Sequence, residues 1–200
     1  MARTKFRECN GIEYITKNVL ETPSASHSLL LLALDVLQAS SQNATSSSRI
    51  RTAFPVLIQR MSSDDCTLEV VLRICTILRN TAPHSPKNKS LLVESGGILA
   101  LIECMTRFTD ETDVTSCASE TLAMISHGNE ENLKLIADHG GVTSIVTLLQ
   151  DTYRPDIMLE ILKIFAANDS TAMQLLEEGA IRALLDSAKR MPKSQLIQSS

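Results

Sequence analysis

The sequence predicts an all-α chain, a right-handed α-solenoid of three-helix repeats. Three observations predict it: one phrase returns at a near-constant interval, each return opens the same helical apolar stripe, and aromatic residues are scarce. The phrase Glu94-Ser95-Gly96-Gly97-Ile98 comes back as Asp138-His139-Gly140-Gly141-Val142 and, altered, as Glu178-Gly179-Ala180-Ile181. Asn10-Gly11-Ile12 and Thr52-Ala53-Phe54 fill the same slot upstream. Aligned on Gly11, Ala53, Gly97, Gly141 and Ala180, the steps are 42, 44, 44 and 39 residues. Periods of about 40–47 residues belong to stacked helical arrays.

Each anchor is followed by apolar residues at offsets of one, four, five and eight. The stripes read Ile12/Ile15/Thr16/Val19, Phe54/Leu57/Ile58/Met61, Ile98/Leu101/Ile102/Met105, Val142/Ile145/Val146/Leu149 and Ile181/Leu184/Leu185/Ala188, with Thr16 the polar exception. That spacing is one face of an α-helix. A glycine pair before the stripe lets one short helix end and the next begin at a sharp angle.

A polar break rich in Ser, Asp and Thr follows each of the first four stripes, for example Ser62-Ser63-Asp64-Asp65 and Thr109-Asp110-Glu111-Thr112-Asp113. Such residues are good N-caps, and longer helices are expected over 25–39, 66–80, 112–126 and 155–167. Several are apolar nearly all round, as in Ile157-Met158-Leu159-Glu160-Ile161-Leu162, which places them inside a stack. A short helix then leads to the next glycine, at Asn88–Ser95, Asn132–His139 and Ser170–Glu178. The Ser-rich stretch Ala39–Ser48 reads as a mobile surface loop, a composition that permits phosphorylation.

Composition narrows the function classes. Hydrophobic residues are 44% of the chain and aromatics 3%, which suits helix-on-helix packing better than sheets. A formal net charge of −4 offers no basic field for nucleic acid. No apolar run is long enough to span a membrane. The start, Met1-Ala2-Arg3-Thr4-Lys5, leads into no signal core, so a cytoplasmic location is expected, with cytoskeleton or cilium as the alternative and the nucleus left open. Cys9, Cys66, Cys75, Cys104 and Cys117 are scattered, odd in number and never spaced C-x-x-C, so they are expected as reduced core thiols. His27, His84, His127 and His139 do not cluster; His127 and His139 sit where they can donate to helix-end carbonyls. No phosphate loop or calcium loop is present. The expectation is a non-enzymatic chain with no cofactor and no metal.

The three-helix unit resembles the armadillo repeat. Asn88-Lys89-Ser90-Leu91-Leu92-Val93-Glu94-Ser95-Gly96-Gly97-Ile98 and Asn132-Leu133-Lys134-Leu135-Ile136-Ala137-Asp138-His139-Gly140-Gly141-Val142 look like that family's first helix, glycine turn and second-helix start. The resemblance covers almost the whole chain and is strongest over residues 66–190. It implies one domain over 1–190, with repeats at about 1–40, 41–82, 83–127, 128–168 and a partial 169–190, then a polar tail over 191–200.

It also implies a binding surface. In armadillo proteins the third helix lines a concave groove, and an asparagine near its end holds an extended peptide, since an amide both donates and accepts. The matching positions here are Ala39, Asn80, His127 and Ala167; one turn earlier stand Asp35, Thr76, Ala123 and Lys163, and another turn back Leu32, Arg73, Glu120 and Glu160. The candidate protein-binding residues are therefore Arg73, Thr76, Asn80, Glu120, Ala123, His127, Glu160 and Lys163. Val36, Ile77, Met124 and Ile164 are expected in the core. With one asparagine of four retained and no tryptophan in the chain, a nuclear-import groove loses its clamp and its stacking platform. The expected partner is a protein or peptide segment, bound by a scaffold or adaptor. The alternatives are a structural subunit of a cytoskeletal or ciliary assembly, or a regulator of a small GTPase or motor protein. Terminal repeats usually carry polar outer faces, and neither end of this chain reads as a cap, so the sequence reads either as a piece of a longer solenoid or, as expected here, as a chain that contacts a partner or a second copy through one end.

Overall fold

The computed structural model describes residues 10–22, 24–151 and 155–190, and no strand occurs among them. The helices are α1 (Gly11–Ile15), which runs on as a π-helical turn over Thr16–Leu20, α2 (His27–Ser41), α3 (Ala44–Ile50), α4 (Phe54–Met61) and α5 (Leu68–Thr81). They continue with α6 (Pro86–Glu94), α7 (Gly97–Arg107), α8 (Thr112–Ser126), α9 (Glu130–Asp138), α10 (Gly141–Asp151), α11 (Pro155–Ala166), α12 (Asp169–Glu177) and α13 (Ala180–Arg190). The first helix expected near Lys5–Asn10, Cys9 and the tail from Met191 lie outside the described residues.

These helices stack as an α-solenoid. Third helices α2, α5, α8 and α11 pack side by side, as do second helices α4, α7, α10 and α13. The second-helix stripes are the reason. Phe54, Leu57, Ile58 and Met61, and likewise Ile98, Leu101, Ile102 and Met105, are all buried in one continuous apolar core that runs along the array. Thr16, the polar member of the first stripe, is buried with its hydroxyl donating to the Ile12 carbonyl at 2.9 Å.

The glycine pair divides its labour. Gly96 and Gly140 hold φ of 83° and 77°, the left-handed turn that ends a first helix. Gly97 follows because a Cβ there would meet the Leu92 carbonyl oxygen at 2.6 Å. Asn10, at φ 52°, supplies the left-handed residue before α1. The second unit has none; a 3-10 turn, Arg51–Ala53, joins α3 to α4 instead.

A buried polar seam ties α6, α9 and α12 each to the third helix before it. Asn88 Nδ2 donates to the Thr81 carbonyl and to Ser47 Oγ, both at 2.8 Å, and Asn132 Nδ2 donates to the Ile125 carbonyl at 2.8 Å. Thr171 takes the corresponding place and donates its hydroxyl to the Phe165 carbonyl. These groups satisfy carbonyls that a helix end leaves without partners.

Three expectations are corrected. The stretch Ala39–Ser48 is not a loop: it closes α2 and opens α3, with Asn43 Oδ1 capping α3 by accepting from the Thr45 N–H at 2.9 Å. Ser46 and Ser47 are buried there, because small residues let α3 approach α5, and Ser47 Oγ donates to the Thr81 carbonyl at 3.1 Å. Side-chain N-caps sit mainly on the first helices, through Asn43, Ser85, Asn129 and Asn168, whereas Thr67 and Glu111 before α5 and α8 make no side-chain cap bond. Val36 is 40% exposed, since no earlier third helix covers it among the described residues, while Ile77 is buried and Met124 and Ile164 are half-buried. In the last stripe Ile181 and Leu185 are exposed, and α13 buries Ala180, Ala183 and Ser187.

Candidate protein-binding site

The third helices present one face of the array, and its polar side chains are bound mostly to one another. Arg73 on α5 reaches α2, where its Nε donates to Asp35 Oδ1 at 2.6 Å, while its Nη1 donates to the Glu69 carbonyl of its own helix at 3.0 Å. One repeat on, Arg79 Nη1 lies 3.4 Å from Glu120 Oε2 on α8. Each pair bridges neighbouring third helices, so each is both an inter-repeat contact and a charged feature of the face. His27 Nε2 stands 3.9 Å from Glu69 Oε2 at the same edge.

Between α2, α5 and α8 lies a cleft of about 490 Å³, lined by Asp35, Gln38, Leu72, Arg73, Thr76, Arg79, Asp113 and Cys117. Thr76, which lines the cleft, directs its hydroxyl to the Leu72 carbonyl at 2.8 Å. Asn80 lies further along α5, with Nδ2 donating to Ser41 Oγ at 3.0 Å. The amide thus holds α2 with its nitrogen.

The other candidates sit apart from this cleft. Ala123 is buried, at 3% exposure, and offers almost no surface. His127 is exposed at the end of α8, its backbone N–H bonded to the Ala123 carbonyl at 3.0 Å. Glu160 and Lys163 pair at 2.6 Å on α11, both about 70% exposed, where water screens them. Of the eight predicted residues, the structure brings Arg73 and Thr76 into the cleft and links Glu120 to it through Arg79. Gln38 and Asp113 were missed because they enter from neighbouring helices whose register the repeat spacing does not reveal, and Arg79 was missed on α5 itself. Arg79 sits beside Asn80 in the very segment that carries the resemblance, which was the available signal.

The thiols of Cys66, Cys75 and Cys117 are held in the protonated form. Burial pushes the Cys117 thiol up to about 12 and the Cys66 thiol up to about 11. Cys75 lies well above the usual thiol range, through its hydrogen bond with Cys104 and its burial. Cys75 Sγ is 3.9 Å from Cys104 Sγ, a contact between free thiols inside the core. Among the described residues no group of His, Cys, Asp and Glu side chains is placed to hold a metal ion. Nor is any helix among them long and apolar enough to cross a membrane. His139 does contact a helix-end carbonyl, with Nδ1 2.8 Å from the Leu135 oxygen.

The stack of three-helix units, the glycine turns and the third-helix face also define what the chain is similar to. A structure of computationally designed armadillo repeat proteins for modular peptide recognition superposes with a TM-score of 0.81 over 96% of this chain and 80% of that one, at 20% identity. The chain is built of armadillo repeats. Natural armadillo relatives agree. Junction plakoglobin of Xenopus laevis is 27% identical over 150 residues, covering 74% of this chain and 20% of the relative. Catenin beta of Urechis caupo is 28% identical over 162 residues, covering 78% of this chain and 20% of the relative. The chain thus spans about a fifth of the length of these armadillo relatives. A designed armadillo repeat protein in complex with the peptide (KR)4 matches with a TM-score of 0.76 over 96% of this chain and 80% of that one, at 20% identity. No family model matches the chain.

Proposed function

We propose that the chain is a non-enzymatic protein-binding scaffold, and that the α2–α5–α8 cleft is where it holds a segment of another protein. The observation that carries this reading is the cleft itself: its arginines are held in place by carboxylates of the repeats on either side, yet those partners remain partly exposed. An incoming segment can exchange such pairs at low cost, since exposed ion pairs contribute about 0–1 kcal/mol. Thr76 and Gln38 line the same cleft and add polar contacts beside them. The peptide-bound designed armadillo protein supports the reading by analogy of fold.

A displayed library of random peptides tests it. Wild-type protein enriches a related set of sequences, and the double variant Arg73→Glu/Glu120→Lys, shown by circular dichroism to keep its helicity, fails to bind that set. Equal binding by the folded variant, or no enrichment by the wild type, removes the cleft as the site.

A further inference from the structure

We propose that the α12–α13 end of the array is a self-association surface, on which a second copy of this chain packs its own α13 antiparallel across a two-fold axis. The repeat supplies the reference for what this face would otherwise look like. Val142 and Val146 of α10 are 1% and 3% exposed, and Ile98 and Ile102 of α7 are 1% and 6% exposed. They are covered because the second helix of the next repeat packs there, as α10 does on α7 and α13 on α10, with Ile102 facing Gly141. Ile181 and Leu185 hold the same two offsets on α13, and they are 57% and 58% exposed. Leu176, at the end of α12, is 55% exposed, and Leu184 is half-buried between them. This end therefore keeps an apolar stripe of interior type with no helix lying on it among the described residues.

The sequence of α13 argues for a second copy as the occupant. Ile181 and Leu185 stand one turn apart, so an antiparallel copy sets each isoleucine against the other copy's leucine. Arg182 and Asp186 flank that stripe, also one turn apart and opposite in sign. The two-fold relation turns each guanidinium towards the other copy's carboxylate, and two-fold contacts are the commonest self-complementary arrangement. Asp186 already meets Lys189 at 3.0 Å, but both are more than half exposed, so that pair can be shared or exchanged. The dimer places the two third-helix clefts at separate ends of one particle, which couples the proposed scaffold to a second binding unit and raises its avidity.

Sedimentation equilibrium of the 200-residue chain is the test. The face is small, so the expected result is a reversible monomer–dimer equilibrium with a dissociation constant of about 10 µM. Leu185→Glu, an exposed change that leaves the circular dichroism intact, raises that constant about 100-fold because the symmetric interface loses the side chain twice. Arg182→Asp and Asp186→Arg each weaken the dimer about fivefold, and the two together in one chain restore it. A chain that stays monomeric at about 100 µM, far above the expected constant, overturns the proposal. So does a dimer that survives Leu185→Glu, a dimer lost only on Leu32→Glu at the opposite end, or a charge-reversed pair that fails to recover.

Discussion

The Asn88 side-chain amide donates to the Thr81 carbonyl at 2.8 Å, from the third residue of α6 to the last residue of α5. Asn132 repeats the relation with Ile125 one unit later, at the same separation of seven residues. Both asparagines are buried, so the carbonyls they satisfy have no water to fall back on. Asn88→Ala and Asn132→Ala are expected to destabilise the fold by about 1–3 kcal/mol each, the cost of orphaning a buried polar group. Asn80→Ala, at a half-buried position with a side-chain partner, is expected to cost less than about 1 kcal/mol. Urea unfolding at matched protein concentration gives the comparison. Equal costs at the three positions would mean that the seam is no stronger than the surface.

That seam shows how the sequence could and could not be read. The second-helix stripes were legible because burial leaves a local period, and four of the five are buried or half-buried throughout. The α8 span, Thr112–Ser126, was read to the residue because a threonine opens it and a histidine and glycine close it. The Asn88–Thr81 bond needs two helices placed in three dimensions, although an asparagine eight residues before Gly96 and again before Gly140 was there to see. Ser46 and Ser47 misled for a related reason: serine composition suggests a loop, and only the neighbouring α5 terminus turns Ser47 into a buried donor. The fifth stripe was read correctly as a helix face, and its spacing did not say which of its residues are covered. Periodicity reports that a face is apolar, not what lies on it.

The two glycines of each turn predict different failures. Gly96→Ala forces a side chain into the left-handed region at φ 83°, with open space around it, and is expected to cost about 1–2 kcal/mol. Gly97→Ala drives a Cβ against the Leu92 carbonyl oxygen, so the α6–α7 angle itself must open. Thermal melting of both variants separates the cases. Gly96→Ala lowers Tm and keeps a single cooperative transition, whereas Gly97→Ala lowers it further and broadens the transition as repeats uncouple. A Gly97→Ala melt indistinguishable from wild type would show that the close approach is not required.

Cys117 makes a prediction about pH. Its thiol titrates near 12 in the fold, against 9.0 for an unburied thiol, because burial penalises the thiolate. Below about pH 9 the folded and unfolded chains both keep this proton, and the contribution to stability is complete. Between pH 9 and 12 the unfolded chain releases the proton while the fold retains it, so stability falls as pH rises. Cys117→Ala is expected to flatten the alkaline part of the stability–pH curve measured by urea unfolding from pH 8 upwards. An unchanged slope would assign the alkaline loss to other groups.

The charge pairs of the third-helix face are the point where stability and binding meet. If Arg73–Asp35 and Arg79–Glu120 were structural keystones, a partner could not displace them without loosening α2, α5 and α8. Their exposures argue otherwise: the Asp35 side chain is 51% exposed and that of Arg79 36%. Double-mutant cycles with alanine at each pair are expected to give coupling energies below about 1 kcal/mol, shrinking further as salt screens them. The apolar contacts beneath, such as Ile74, Ile77 and Leu78 in α5, hold the helices together without them. Leu78→Ala, by contrast, empties a fully buried site and is expected to cost about 2–5 kcal/mol. A coupling energy near that of a core truncation would make the arginines part of the framework, and the search for a binding surface would then move off the third-helix face.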